Sequence, residues 1–247
     1  MKAMVLAAGQ GQRLLGLTER IPKALVRVAG RPMIEYPLLL LKHYGIREII
    51  VNLHHLGEQI ESYLGDGARF GLNISYSKEP ELLDTGGGLL KAKSFLEDGT
   101  FIVINTDVLI DLPLADVVAF HEKNKAIATL VLRPDELADQ YGSMEIDSES
   151  RIYRFLQAKR PNTPAFGTKL MFTGVQILEP KVFDYMKRDG APQRFSTTRD
   201  VYPAMLVKDE ALHGFCFDGF WQDLGTSQRI KKAEESLAQG TAKLHYL

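Results

Sequence analysis

Residues 6–25, "LAAGQGQRLLGLTERIPKAL", combine small residues with two cations in a pattern that suits anion binding. Gly9 and Gly11 follow an apolar run, and Arg13 and Lys23 follow the glycines. Glycines let backbone N–H groups approach a ligand closely, and nearby cations neutralise negative charge. The stretch therefore predicts a turn that binds polyphosphate. A glycine-rich strand-to-helix turn with two surface cations explains the same residues, and this alternative stays open.

Two common phosphate motifs do not describe this turn. The Walker pattern ends in Gly-Lys-Ser/Thr, which is absent here, and the dinucleotide fingerprint requires a third glycine where Leu14 stands. The turn therefore belongs to neither class.

Two aspartates are candidates for holding a metal ion. Asp107 follows the apolar run "FIVIN", and Asp223 lies in "WQDLG" at the end of a late run, so both carboxylates are expected at strand ends facing one cleft. Two aspartates suffice for Mg²⁺, which takes its other ligands from substrate phosphates and water. Aspartates after strands also cap helices or stabilise turns, so a structural role is the alternative.

The elements that must position these residues alternate through the first 133 residues. Short β-branched runs alternate with helical patterns, as in "AMVLAA", then a helix in "PMIEYPLLLLKHYG" that Pro32 is expected to open, then "REIIVNL". Such alternation predicts a mostly parallel sheet with helices on both faces. Ligands bind beyond the carboxyl ends of such strands, where the sequence has unusual loops at 9–23, 79–88, 105–107 and 221–226.

The pattern changes near residue 140, where short strands joined by turns predominate. "LHGFCFDGFWQDLG" reads as a strand pair, and "SQRIKKAEESLAQ" as a closing helix. We expect one domain over 1–247, with a nucleotide-binding half at 1–139 and a β-rich sugar-phosphate-binding half at 140–247.

Composition excludes several classes of partner. The 30 Lys and Arg residues nearly balance 31 Asp and Glu residues, so no general attraction to nucleic acid or an anionic membrane is expected. The apolar run at 36–41 is too short to cross a bilayer. A single cysteine, Cys216, fits a reducing compartment and hence a cytoplasmic location.

Residue by residue, the opening stretch resembles the signature of the sugar-1-phosphate nucleotidyltransferases, Leu-Ala-Ala-Gly-x-Gly-x-Arg-Leu-x-x-Leu-Thr followed by Pro-Lys. Matching positions are Leu6, Ala7, Ala8, Gly9, Gly11, Arg13, Leu14, Leu17, Thr18, Pro22 and Lys23. One departure is Gly16, where the family usually has proline. Five further stretches agree in order: "VAGRPMIEY", "LLDTGGGL", "NTDVL", "FTGVQIL" and "FWQDLGT".

The resemblance implies the fold of that family, a Rossmann-like, mostly parallel mixed sheet flanked by helices with a smaller β-rich portion. It also implies catalytic roles for Arg13, Lys23 and Asp107 and a Mg²⁺ site at Asp107 and Asp223. The implied nucleotide-binding residues are Leu6, Ala8, Gly9, Gly11, Arg13, Glu79, Thr85, Gly86 and Gly87. For Glu79, a solvated acid is an equal alternative, and for Thr85 a helix cap.

The sugar-phosphate side matches the family least. Members commonly carry Phe-x-Glu-Lys-Pro, but this chain has "FLQAKRP", so Lys159 is a provisional ligand. Gly142, Thr173 and Gly174 correspond to sugar-facing strands in the family.

The implied reaction joins a nucleoside triphosphate to a sugar 1-phosphate and releases pyrophosphate, an EC 2.7.7 activity in nucleotide-sugar biosynthesis for cell-envelope polysaccharide. Short members that use UTP with N-acetylmuramate 1-phosphate, or GTP with mannose or heptose 1-phosphate, are equally similar. The alternatives are a catalytically silent nucleotide-sugar-binding subunit and a choline-phosphate cytidylyltransferase. The chain ends soon after Asp223, so no β-helical domain is expected, and the family suggests a homodimer.

Overall fold

The computed structural model describes residues 1–14, 16–136, 138, 143–161, 167–186 and 194–247. The strands are β1 (Lys2–Leu6), β2 (Arg27–Val28), β3 (Arg31–Pro32), β4 (Glu48–Leu53), β5 (Asn73–Lys78), β6 (Phe101–Asn105), β7 (Val108–Ile110), β8 (Ala128–Arg133), β9 (Met144–Ile146), β10 (Ile152–Phe155), β11 (Ala158–Lys159), β12 (Thr168–Leu178), β13 (Leu212–Cys216) and β14 (Trp221–Asp223). The α-helices are α1 (Glu35–His43), α2 (Gly57–Leu64), α3 (Asp84–Lys91), α4 (Lys93–Leu96), α5 (Leu114–Lys123), α6 (Tyr202–Val207) and α7 (Ser227–Ala238).

Contacts divide the chain into two compact units, and the chain enters each unit more than once. Unit 1 comprises Met1–Leu82, Ile104–Leu112 and Gly219–Leu247. Unit 2 comprises Leu83–Val103 and Pro113–Asp218. The two aspartates expected to hold a metal both belong to unit 1.

Unit 1 contains a parallel ladder of β1, β4 and β5, in that order. The runs "AMV" in β1 and "IIV" in β4 are buried, as expected of parallel strands covered on both faces. At the carboxyl ends of the strands, Leu6 of β1 is paired with Asn52 of β4, which is paired with Ser77 of β5. A separate antiparallel pair, β7 with β14, carries the segment around Asp223.

Unit 2 is the β-rich part of the chain. The long strand β12 pairs antiparallel with β8 and with β9, while β13 runs parallel to β8. A small antiparallel extension is formed by β9, β10 and β11. Its core includes the stacked rings of Phe101 and Phe183, whose centroids are 5.6 Å apart.

The predicted fold class, an α/β protein with a mixed sheet and flanking helices, is confirmed. Within the described part of the chain, no helix combines the length and the apolar composition that a membrane crossing requires.

Pro32 does not open the first helix, contrary to the sequence prediction. Pro32 pairs with Arg27 in the two-stranded β2–β3 sheet, and α1 begins later, at Glu35. Proline lacks an N–H group, which a strand at the edge of a small sheet does not need. The proline therefore ends a hairpin instead of starting a helix.

The predicted pairing between the two strands of "LHGFCFDGFWQDLG" is also wrong. Phe217 N donates to Leu132 O at 2.7 Å, which extends the ladder of β13 on β8. Asp111 N donates to Phe220 O at 3.0 Å, at the start of the ladder of β14 on β7. Each strand completes a different existing ladder, so closeness in sequence did not determine its partner.

Candidate functional site

The glycine turn after β1 closes on itself through Gly11 and Thr18. Gly11 has a φ of +66°, and a Cβ there would lie 2.8 Å from Thr18 Cγ2 and 3.1 Å from Lys23 Cβ. The buried Thr18 hydroxyl donates to Gly11 O at 3.1 Å and lies 3.3 Å from Leu14 O. Glycine is required at position 11 by both the backbone conformation and the close packing.

Lys23 forms an ion pair with Asp107, the first of the two candidate metal ligands. Lys23 opens a short 3-10 helix directly after Pro22, and its Nζ contacts Asp107 Oδ2. The two side chains are 13% and 22% exposed, so the pair is largely shielded from water. Asp107 lies in the turn between β6 and β7. The structure therefore brings the lysine of the turn to the predicted carboxylate.

Asp223 ends β14 in register with Val108 of β7, the residue after Asp107. Leu224 N donates to Asp107 O at 2.8 Å, so the residue after Asp223 is hydrogen-bonded to Asp107 itself. Asp223 Oδ1 accepts from Gly225 N at 2.9 Å and pairs with Arg229 Nη1. Its carboxylate is thus oriented by one backbone donor and one arginine.

Arg13 reaches the same place from the glycine turn. A Cβ at Gly225 would lie 2.8 Å from both Arg13 Nη2 and Asp223 Oδ1, so these two groups flank one point. Among the described residues, no group of three or more His, Cys, Asp and Glu side chains could hold a metal. Unit 1 therefore presents two carboxylates, one paired with Lys23 and one with Arg229, on segments joined by a backbone hydrogen bond.

A buried polar group connects the ends of β1 and β4 with the residue that follows β5. Asn52 Oδ1 accepts from Ala7 N at 2.8 Å, and its Nδ2 donates to Glu79 Oε1 at 2.8 Å. Glu79 is only 4% exposed, so it is not the solvated acid that was considered as an alternative. Leu6 and Ala8, predicted to touch the nucleotide, lie at the same end of β1.

In unit 2, the glycines that were predicted to contact a base are hydrogen-bonded to the chain itself. Gly86 N and Gly87 N both donate to Phe195 O, at 2.9 and 3.2 Å. A Cβ at Gly86 would lie 2.4 Å from the Phe195 ring. Thr85 Oγ1 accepts from Thr197 N at 3.0 Å. These residues therefore have internal partners, and their proposed role toward a nucleotide stays a prediction.

The predicted sugar-phosphate residues occupy several strands of unit 2. Lys159 ends the short strand β11 and is exposed. Thr173 is buried and donates to Val131 O at 2.8 Å, while Gly174 has a φ of +91° where the β12–β8 register shifts. Gly142 lies outside the described residues. Lys159 thus lies on β11, and Thr173 and Gly174 lie on β12.

Sequence reasoning missed Asn52 and Arg229. Asn52 is the one strongly polar side chain in the apolar run "IIVNL", and buried polar groups of this kind are hydrogen-bonded. Arg229 lies in the first turn of α7, where Thr226 accepts from its backbone N at 3.3 Å. That cap, together with a cation six residues after Asp223, was the available signal.

Comparison with known protein families identifies the family of this chain. A family model described as nucleotidyl transferase matches residues 2–240, and the chain belongs to this family. The resemblance inferred from the sequence is therefore confirmed.

Particular relatives include uridylyl- and guanylyltransferases. A UTP–glucose-1-phosphate uridylyltransferase of Synechocystis sp. is 37% identical over 91% of this chain and 60% of its own length. An N-acetylmuramate alpha-1-phosphate uridylyltransferase of Neisseria meningitidis is 36% identical over 95% of this chain and 97% of its own length. A mannose-1-phosphate guanyltransferase of Gibberella zeae is 34% identical over 91% of this chain and 61% of its own length. The chain thus spans about three fifths of the Synechocystis and Gibberella relatives and nearly all of the Neisseria relative.

A solved structure shares the fold along almost the whole chain. A Bacillus anthracis protein assigned as a glucose-1-phosphate thymidylyltransferase superposes with a TM-score of 0.82 at 25% identity, covering 95% of this chain and 94% of its own.

Proposed function

We propose that this protein is a sugar-1-phosphate nucleotidyltransferase, which joins a nucleoside triphosphate to a sugar 1-phosphate and releases pyrophosphate. The observation that carries the proposal is the convergence, within unit 1, of the basic glycine turn and two neighbouring aspartates. Family membership and the activities named for the relatives support it. Because two of those relatives are much longer than this chain, activity and substrates remain proposals.

In this reaction a phosphate oxygen of the sugar 1-phosphate attacks the α-phosphorus of the nucleotide, and the bond to pyrophosphate breaks in line. The attacking phosphate is already ionised at neutral pH, so the chain needs no nucleophile or general base. Its task is to align two anions and to neutralise their charge. Backbone N–H groups at Gly9 and Gly11 and the Arg13 guanidinium would hold the nucleotide phosphates. Lys23 would contact phosphate at the reacting centre.

The residues fit a divalent ion, for which we propose Mg²⁺ at Asp107 and Asp223. The backbone of Asp107 is hydrogen-bonded to Leu224, the residue after Asp223, both carboxylates are about one-fifth exposed, and oxygen donors are what Mg²⁺ prefers. When bound, the ion supplies charge neutralisation on the reacting phosphates. Lys23 and Arg229 hold the two carboxylates in place from either side.

The other predicted site residues complete the proposal. Within unit 1, Leu6, Ala8 and Glu79 would contact the base and ribose. Gly142, Lys159, Thr173 and Gly174 would face the sugar phosphate. This assigns the nucleotide to the half at 1–139 and the sugar phosphate to the half at 140–247. A cytoplasmic homodimer is the expected form.

A pyrophosphate-release assay tests the proposal. Purified protein with Mg²⁺ is screened with each of the four nucleoside triphosphates against N-acetylmuramate, mannose, heptose and glucose 1-phosphates. We expect release with UTP or GTP and one of these sugars. Binding of a nucleotide sugar without release from any pair would instead identify a silent binding subunit, and release with phosphocholine and CTP would identify the cytidylyltransferase.

A further inference from the structure

We propose that Asn52 is a positioning residue for nucleotide binding, whose amide holds the Glu79 carboxylate in one orientation against the start of the glycine turn. The inference rests on the proposed function, because it assumes that a nucleotide binds at the carboxyl ends of β1, β4 and β5. It adds a residue to that site, and it restricts the bases that the site accepts.

The position of Asn52 follows from strand register. Asn52 is the second-last residue of β4, and it lies between Leu6 of β1 and Ser77 of β5. Its carbonyl oxygen faces the N–H group of Ala7, the first residue after β1, and its amino group faces Glu79 Oε1, both at 2.8 Å. One amide therefore links the entry to the glycine turn with the acid that follows β5.

Glu79 is fixed by its main chain as well. Glu79 N donates to Leu53 O at 2.7 Å, and the ring nitrogen Nδ1 of His54 lies 2.9 Å from Glu79 O. Asn52 and Glu79 are only 3% and 4% exposed. Burying a carboxylate is costly unless hydrogen bonds stabilise it, so the Asn52 donor supports both the charge and its orientation.

An ionised carboxylate only accepts hydrogen bonds, and this restricts the base. Uracil, thymine and guanine carry a hydrogen on the ring nitrogen of the Watson–Crick edge. Adenine and cytosine carry a lone pair at that nitrogen, which a carboxylate repels, so they can donate to it only through the neighbouring amino group. We therefore expect UTP and GTP to bind at least about tenfold more tightly than ATP and CTP.

Asn52→Asp separates the two hydrogen bonds of the amide. The new carboxylate can still accept from Ala7 N, but it faces Glu79 with an acceptor in place of a donor. Two ionised carboxylates at this distance repel each other, so a lower pH favours a shared proton that restores the bond and a higher pH favours the repelling pair. The two conditions compared are about pH 6 and about pH 8.5. We expect the Kd for UTP or GTP, measured by calorimetry, to rise about 10- to 100-fold at the higher pH and to approach the parental value at the lower.

Asn73→Asp is the matched control. Asn73 of β5 pairs with Glu48 of β4 through the same amide-to-carboxylate contact, at the opposite ends of the same two strands. We expect its nucleotide Kd to stay parental at both pH values. Other charged groups near Glu79 are His54, Glu81 and Lys78, which pairs with Glu61 of α2 at 2.7 Å. Parent and variants share these groups, so each variant is compared with the parent at the same pH.

A parental Kd for Asn52→Asp at both pH values, or an equal loss at both, would overturn the inference, since a purely structural defect has no such pH profile. If Asn52→Asp fails to fold, the double variant Asn52→Asp with Glu79→Gln is used instead. It restores the hydrogen bond in the opposite direction, with the amide donor at position 79 and the carboxylate acceptor at position 52. We then expect a pH-independent Kd within about threefold of Glu79→Gln alone, and a loss above about tenfold would contradict the inference. Nucleotide binding without pyrophosphate release would refute only the proposed function, whereas no binding of any of the four nucleotides would overturn this inference.

Discussion

The Lys23–Asp107 ion pair joins two groups to which the proposed reaction gives different tasks. The ammonium would meet phosphate, and the carboxylate would meet a cation. Each keeps the other in place near the glycine turn, where the backbone around Gly11 leaves no room for a larger residue. Charge at this site is thus arranged as alternating signs and not as a uniform basic pocket.

We expect Asp107→Asn to lower kcat by at least about 100-fold, because a neutral amide is a poor ligand for Mg²⁺ and leaves the Lys23 charge uncompensated. The amide oxygen still accepts a hydrogen bond from Lys23, so the variant should stay folded, with the free energy of unfolding lowered by about 1–3 kcal/mol. Pyrophosphate release and urea unfolding measure the two quantities.

Asp111→Asn is the control for Asp107→Asn. Asp111 lies four residues further along unit 1, where it accepts from His245 N at 2.9 Å and contacts the His245 ring. We expect its kcat to stay near the parental value. Near-parental turnover in Asp107→Asn would reject the metal-binding role of Asp107.

Charged residues after strands were predictable, whereas the buried amide was not. Arg13 and Lys23 were singled out because they follow two glycines after an apolar run, and Asp107 and Asp223 because they lie at the ends of apolar runs. Asn52 acts through partners 45 and 27 residues away, and only strand register brings those partners to it. Local patterns contain no information on that register.

At the scale of elements, the start of α3 is built around Phe195. The Phe195 carbonyl accepts from both Gly86 N and Gly87 N, and the Phe195 ring occupies the space where a side chain at Gly86 would lie. The glycines therefore allow close packing between α3 and the segment that precedes the π-helix Thr197–Val201.

We expect Gly86→Ala to lower the free energy of unfolding by about 1–3 kcal/mol, since the new Cβ would overlap the Phe195 ring. Gly99→Ala is the control, because no atom lies within 4 Å of a Cβ there, and its effect should stay within about 0.5 kcal/mol. Urea unfolding of both variants measures these changes in the free energy of unfolding. Equal stabilities of the two would show that the Phe195 contact is easily relaxed.

Elements were predicted well as local segments and less well as pairs. Alternating strands and helices located β1, α1 and β4, because buried parallel strands read as continuous apolar runs. The partners of β13 and β14 were missed, since a short connection favours a hairpin that the existing ladders on β8 and β7 outcompete.

At the scale of the whole molecule, the chain has a formal net charge of −1, so anionic substrates gain little from long-range attraction. The general class of fold was predictable from the order of elements. The division into two interleaved units was not, because residues 104–112 and 219–247 join unit 1 through contacts distant in sequence.

The stability of the whole protein in mild acid should depend on His213 of unit 2. His213 is 6% exposed, and among the described residues its Nδ1 has no hydrogen-bond partner. Burial, reinforced by the charges of Arg151 and Arg160, lowers the pKa of His213 below its ordinary value of 6.5. The folded protein therefore keeps this ring neutral at a pH where the unfolded chain protonates it.

Proton uptake on unfolding means that the free energy of unfolding falls as the pH drops below about 6.5, by up to about 1.4 kcal/mol per pH unit, until the pH passes the folded-state pKa. His213→Leu removes this uptake, so its stability relative to the parent should rise between about pH 7.5 and about pH 5.5 in urea unfolding. The control is Leu212→Val in the same strand, which changes no titratable group, so its difference from the parent should be constant over that range. A His213→Leu difference that is equally independent of pH would mean that His213 becomes protonated in the folded protein as readily as in the unfolded chain.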